Sequence, residues 1–274
     1  LVGSRRLPLA ADYSASLAML LEGRTEEIDG LKGFFNARKR IKHSGVFLTE
    51  PYDPDRIPVL LIHGLISVPM IWRDIVPEMI SDPEIAKRYQ FMLLAYPSSF
   101  PVIESAAFLR EELAALRAKY DPEGRDALSR NMVVVGHSMG GMLAHVLVAE
   151  MGDHLWDQFS DTPLDEVPIS DDLREALRRR VYFEPDEAVR RVVYFSAPHR
   201  GAYVAAKDFA GILAMLAKLP SGVLRFNAGG VAPQADEYFK IPLHRHYTSR
   251  ESLKPGSVTV TALELAPYKK GVVY

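Results

Sequence analysis

Asn131-Met-Val-Val-Val-Gly-His-Ser-Met-Gly-Gly141 is the stretch that decides how this chain is read. Met132 to Val135 is a short apolar, β-branched run, the pattern of a central parallel strand buried on both faces. Gly136 and Gly140 remove side chains where a strand and the helix after it come too close for a Cβ. Ser138 stands at the tip of the turn between them. The helix expected from Met139 to about Met151 opens beside it, with free N–H groups and the positive end of its dipole. A serine hydroxyl is barely ionised near neutral pH, so it attacks only when a neighbouring base takes its proton. Gly-x-Ser-x-Gly between a strand and a helix is the elbow that presents such a hydroxyl. Ser138 is therefore the candidate nucleophile of an acyl-transfer site.

A second strand-and-turn lies upstream in Ile57-Pro-Val-Leu-Leu-Ile-His-Gly-Leu65. The loop after such a strand supplies one backbone N–H to a developing oxyanion, and the residue after the nucleophile supplies the other. These are assigned to Leu65 and Met139. His63 and Gly64 line the same loop, with the His63 ring read as a packing group that braces it. His137 adjoins Ser138 in sequence but is expected to point away at the elbow, so it is not read as the base.

Elsewhere apolar runs and helical spacings alternate. Strands are expected at Val46–Thr49, Val59–Ile62, Phe91–Tyr96 and Val192–Ser196, with helices at Pro69–Ile80 and Ile103–Tyr120. Such alternation implies a mostly parallel sheet with helices on both faces, and ligands bind at the carboxyl ends of its strands. Leu65, Ser138 and His199 all fall just past strand ends. Residues 1–45 read as a small helical extension, with the basic tract Ala37-Arg-Lys-Arg-Ile-Lys42 as a solvated face. The α/β domain then runs over 46–274. Residues 153–189 and 202–265 read as insertions that form lids or substrate walls. The second includes an amphipathic helix at Phe209–Leu219 that packs either on the core or against an acyl chain.

The residues His63-Gly64, Gly136-His-Ser-Met-Gly-Gly141 and Phe195-Ser-Ala-Pro-His-Arg-Gly201 resemble those of α/β-hydrolases of the lipase/esterase kind. The last of them resembles the Pro-His-x-Gly loop of many bacterial lipases. The likeness covers roughly 58–201. More narrowly, Glu50-Pro-Tyr-Asp-Pro-Asp-Arg-Ile-Pro and Ala95-Tyr-Pro-Ser-Ser resemble a group of bacterial envelope-associated hydrolases, which implies a cell-envelope location. The resemblance implies hydrolysis of a small-molecule or lipid acyl ester without metal or cofactor, and a binding or shaping role for His199. An amidase, a thioesterase or an acyltransferase would use the same residues. A non-catalytic binding protein on the same fold is the alternative from another class, because fold alone does not prove chemistry.

Composition bounds these readings. With 274 residues, the chain has room for one α/β domain and a sizeable core. A net charge of −2 leaves no footprint for nucleic acid. No run of eighteen apolar residues is present to span a bilayer, although the basic tract could touch a membrane surface. The absence of cysteine excludes disulfides, thiolate metal sites and a cysteine nucleophile.

The acid and the base are not evident. In this fold they follow the serine in the order acid, then histidine. The strand Val192–Ser196 ends in Ala197-Pro198-His199, without a carboxylate. His145 lies inside the elbow helix, His154 opens a charged stretch, and His244 and His246 lie in a polar one. Gly271-Val-Val-Tyr274 reads as the first half of another buried strand. The expectation is that the last strands, the acid and the base lie beyond Tyr274, about 50–70 residues further on by the size of α/β units. The alternative is a rewired triad, for instance His246 with Asp236, or an inactive site.

Overall fold

The computed structural model describes residues 44–202, 235–240 and 249–274. The helix expected at Phe209–Leu219, the pair His244 and His246, and nearly all of the N-terminal extension lie outside these residues.

Among the described residues five strands form one sheet: β1 (Gly45–Leu48), β2 (Ile57–Ile62), β3 (Tyr89–Ala95), β4 (Met132–His137) and β5 (Val189–Phe195). Their spatial order is β1-β3-β2-β4-β5. β1 runs antiparallel to β3, and every other pairing is parallel. The connections that return the chain to parallel strands carry helices. Pro69–Trp72 is a 3-10 turn that precedes α1 (Ile75–Ser81); α2 (Val102–Tyr120) and α3 (Met139–Val146) flank β4 in sequence; α4 (Asp171–Val181) precedes β5, and α5 (Val258–Leu265) lies near the end of the chain. The fold is α/β, with a mixed, mostly parallel sheet and helices on its connections.

Strand alternation divides the core in two. Leu60, Ile62, Met92, Leu94 and Val134 face α2 and α3, where Leu109, Leu113, Met142 and Leu143 are fully buried. Val59, Leu61, Phe91 and Leu93 face Trp72 and Val76. β4 is not buried on both faces as its apolar run predicted. Val133 and Val135, on the face of the smaller cluster, are only half-buried. Further out on that face, Val193 and Phe195 of β5 are exposed. The smaller cluster is centred over β2 and β3 and thins toward β5.

Two expected helices are shorter than their apolar patterns. A continuous helix over 69–80 is broken at Arg73-Asp74. Pro77 supplies no N–H and its ring clashes with the carbonyl four residues back, so the helix can begin only just before it. The elbow helix stops at Val146 rather than near Met151. Beyond it, Ala149 bridges Tyr268, the Glu150 N–H donates to the Pro267 carbonyl, and the Lys269 N–H donates to the Val148 carbonyl. Those tertiary pairings take the backbone groups that another helical turn would have used.

Residues 153–189 contribute to the main core. Trp156, Leu164, Leu173, Leu177 and Val181 are buried in it. Ser170 caps α4 by accepting the Leu173 N–H, and Asp171 and Asp172 occupy its first turn, where the dipole favours negative charge. Arg117 of α2 donates two hydrogen bonds from Nη2 to the Asp186 carboxylate, at 2.9 and 2.7 Å, and one from Nε to the Leu128 carbonyl, and so ties this stretch to the sheet side. At the far edge, Val273 pairs in parallel with β5: its N–H donates to the Arg190 carbonyl and its carbonyl accepts the Val192 N–H. The strand-like reading of Gly271–Tyr274 thus corresponds to a single bridge, with Val273 and Tyr274 exposed rather than buried.

Candidate active site

The elbow exists because its glycines permit contacts that a side chain would forbid. A Cβ on Gly136 would lie 2.5 Å from the Gly140 carbonyl oxygen, and one on Gly140 would lie 2.4 Å from the Ile62 carbonyl oxygen. A Cβ on Gly141 would meet the Ala197 Cβ at 2.3 Å. The turn is therefore pressed against both neighbouring strand ends. Ser138 pays for this closeness with backbone strain, at φ 53° and ψ −123°, a region that non-glycine residues rarely occupy. Its N–H donates to the Phe195 carbonyl at 2.8 Å, and its carbonyl accepts the Gly141 N–H at 2.9 Å. The serine side chain does not cap the helix.

Strain of this kind recurs at the same edge of the sheet. Among the described residues, the non-glycine positions with positive φ are Ile66, Ser138 and Ser196, at 52°, 53° and 51°. Each lies just past the carboxyl end of β2, β4 or β5. Backbone strain concentrates where a structure holds groups for function, and here the three strained turns follow three adjacent strands, β2, β4 and β5.

Gly64 lies directly on the serine. A Cβ there would be 2.9 Å from the Ser138 Cβ, 3.1 Å from the His137 carbonyl oxygen and 3.3 Å from His137 Nδ1. The loop carrying Leu65 is thus in contact with the elbow carrying Met139. Among the described residues no group accepts a hydrogen bond from the Leu65 or the Met139 N–H. A loop and an elbow in contact, each with a backbone N–H that has no acceptor among the described residues, could hold an anionic oxygen, and the start of α3 adds the favourable end of its dipole.

The sequence-predicted histidines separate in space. His63 is buried, its ring stacked on Tyr96 with centroids 4.4 Å apart, and its Nδ1 lies 3.0 Å from the Gly64 carbonyl oxygen. His137 is half-buried with its ring against the Gly64 loop, and its Nδ1 has no partner among the described residues. His199 packs edge-on to Tyr194 at 4.5 Å and to His145 at 5.4 Å. His145 is buried and stacked on Tyr268 at 4.4 Å, with neither ring nitrogen partnered among the described residues. Burial, and then the neighbouring His199, push its pKa down to about 4; burial also lowers that of His199. Both are held neutral, but no described histidine is hydrogen-bonded to Ser138 Oγ. Among the described residues no group of three or more histidine, aspartate or glutamate side chains could hold a metal, and no helix is long and apolar enough to cross a membrane.

The sequence reading missed Tyr96 and Ser98. Tyr96 is buried, and its hydroxyl donates to the His63 carbonyl at 2.7 Å. Ser98 is buried, and its Oγ accepts the Ile66 N–H at 3.1 Å. Their signal was present in Ala95-Tyr-Pro-Ser-Ser, polar residues placed directly after a buried strand.

No protein-family model and no curated protein matches the chain. Among solved structures, it is similar to the mature form of the Bacillus licheniformis lipase BlEst2, with 16% identity and a TM-score of 0.42, over 83% of this chain and 68% of that one. A lipase-esterase related protein from Clostridium acetobutylicum matches at 15% identity and a TM-score of 0.33, over 82% and 72% of the two chains. Esterase B from Lactobacillus rhamnosis, in a tributyrin phosphonate-inhibited form, matches at 15% identity and a TM-score of 0.35, over 76% and 66%.

Proposed function

We propose that the protein is a serine hydrolase that cleaves carboxylic esters through an acyl-enzyme on Ser138. The observation that carries the reading is the strained turn at Ser138, with Gly64 packed on it and the Leu65 and Met139 N–H groups without acceptors among the described residues. In the proposed reaction Ser138 Oγ attacks the ester carbonyl and its proton passes to a base. The carbonyl oxygen becomes an oxyanion facing the two N–H groups, and the intermediate collapses with loss of the alcohol. Water then attacks the acyl-enzyme, releases the carboxylic acid and restores the serine. Donors set in place before the charge develops cost no reorganisation when it does, and removing one from such a hole costs about 100- to 1000-fold in rate. His63, Gly64 and His137 line this site, and His199 shapes its β5 flank. The base is not assigned to a described residue. A small or lipid acyl ester is the proposed substrate class, processed without metal or cofactor in a bacterial cell envelope.

A non-catalytic binding protein on the same fold is the second reading, favoured by the lack of a histidine hydrogen-bonded to Ser138 Oγ among the described residues. Fluorophosphonate labelling separates the two. The expected outcome is one covalent adduct on the wild type and none on Ser138→Ala. No adduct, or equal labelling of the two, refutes the hydrolase reading. Product analysis with an added alcohol then distinguishes hydrolysis from acyl transfer.

A further inference from the structure

The loop that presents the Leu65 N–H is held from one side by a single segment. Residues 96–98 leave β3 at the level where β2 ends, because Ile62 and Leu94 are in register. From there Tyr96 donates its hydroxyl hydrogen to the His63 carbonyl at 2.7 Å, two residues before Leu65. Ser98 Oγ accepts the Ile66 N–H at 3.1 Å, one residue after it. The His63 ring stacks on Tyr96 at an interplanar angle of 25°, so the same residue fixes both the backbone and the side chain at the start of the loop.

Each contact bears on a conformation that would not persist unaided. Ile66 is β-branched and sits at φ 52°, where such a residue is a conformational outlier. Strain of that size is kept only where surrounding contacts determine it. Among the described residues, Ser98 is the partner of the Ile66 N–H. Tyr96 and Ser98 are both buried, so neither hydrogen bond competes readily with bulk water. Burial also raises the Tyr96 pKa and keeps its phenol protonated and donating at any working pH.

We propose that Tyr96 and Ser98 are positioning residues for the oxyanion donor: by clamping the loop at His63 and at Ile66, they aim the Leu65 N–H at the oxygen that becomes charged when Ser138 is acylated. Neither touches the reacting atoms. The inference rests on the hydrolase reading of Ser138. It follows from geometry that their contribution appears only as charge develops. A donor displaced by a fraction of an ångström still lets substrate bind but holds the oxyanion poorly.

The test compares Tyr96→Phe, Ser98→Ala and Ser98→Thr with the wild type. The readouts are the second-order rate of fluorophosphonate labelling at Ser138 and, on a p-nitrophenyl ester, kcat and KM separately. Tyr96→Phe keeps the ring stacked on His63 and removes only the hydroxyl. It is expected to lower kcat and the labelling rate by about tenfold, a fraction of the loss of a whole donor, with KM changed less than twofold. Ser98→Ala is expected to act in the same direction, and Ser98→Thr, which keeps the oxygen, to recover most of the rate. Wild-type kcat and labelling rate in both Tyr96→Phe and Ser98→Ala overturn the inference while leaving Ser138 as the nucleophile. A purely structural role is read from a lower melting temperature with unchanged kcat of the folded protein, and that outcome also overturns it. No labelling of the wild type overturns the hydrolase reading and this inference together.

Discussion

The two flanks of Ser138 are built differently. On the β2–β3 flank the polar groups around the Leu65 loop are paired, the Tyr96 hydroxyl with the His63 carbonyl, His63 Nδ1 with the Gly64 carbonyl and the Ile66 N–H with Ser98 Oγ, while Ser99 Oγ and Trp72 Nε1 further out have no partner among the described residues. On the β5 flank, His145 has two unpartnered nitrogens and His199 one among the described residues, and Val193 and Phe195 are exposed. Unmatched buried polar groups cost stability, whereas matched ones hold a geometry. The contrast teaches where the molecule is rigid. The side that would hold an oxyanion is fixed by the sheet itself, while the side on which an acid and a base are expected has its polar groups unmatched among the described residues.

The largest effect should come from the join between the flanks. Gly140→Ala places a Cβ 2.4 Å from the Ile62 carbonyl oxygen and 2.6 Å from that of His63, where the obstacle is backbone and cannot swing aside. The expected loss is about 3 kcal/mol, the upper end of the usual cost of overpacking. It would be measured as a lower urea midpoint together with loss of fluorophosphonate labelling. A stable, fully labelled Gly140→Ala would mean that the elbow is not pressed onto β2.

A second effect should isolate the β5 flank. His145 has a pKa of about 4 when folded, against 6.5 when free. Between those values the unfolded chain binds more protons than the folded one, so stability falls as pH falls from about 6.5 to about 4 and levels off below. Among the described residues, the rings around it are those of His199, Tyr194 and Tyr268, and no carboxylate favours its charged form. Its share is about 3 kcal/mol. His145→Phe keeps the stacking on Tyr268 and should remove this share, visible as a flatter stability curve from pH 6.5 to 4 than the wild type in urea unfolding. Parallel curves would show that His145 finds a partner and that the flank is matched after all.

How far the sequence foretold this arrangement follows from the range of each interaction. The elbow was legible because it is local: a β-branched run, Gly136, Ser138 and Gly140 lie within nine residues of one another. The alternation of strands and helices was legible for the same reason. The end of the elbow helix was not, because Ala149 and Glu150 are taken by Pro267 and Tyr268, more than a hundred residues away. The half-burial of Val133 and Val135 depends on how far the Trp72 cluster extends across the sheet, which no local pattern records. In 153–189 the buried residues Leu173, Leu177 and Val181 recur at helical spacing, set among arginines and acids that mask the apolar face. The Tyr96 clamp joins residues 33 apart through strand register. Polar residues just past a β-strand deserve inspection for that reason.

The most direct measurement is a crystal structure of the protein after reaction with a phosphonate ester. The account predicts a bond from phosphorus to Ser138 Oγ, with the phosphoryl oxygen about 2.7–3.1 Å from both the Leu65 and the Met139 nitrogens. An oxygen turned to solvent, or held by side chains while those two N–H groups stay empty, would contradict it.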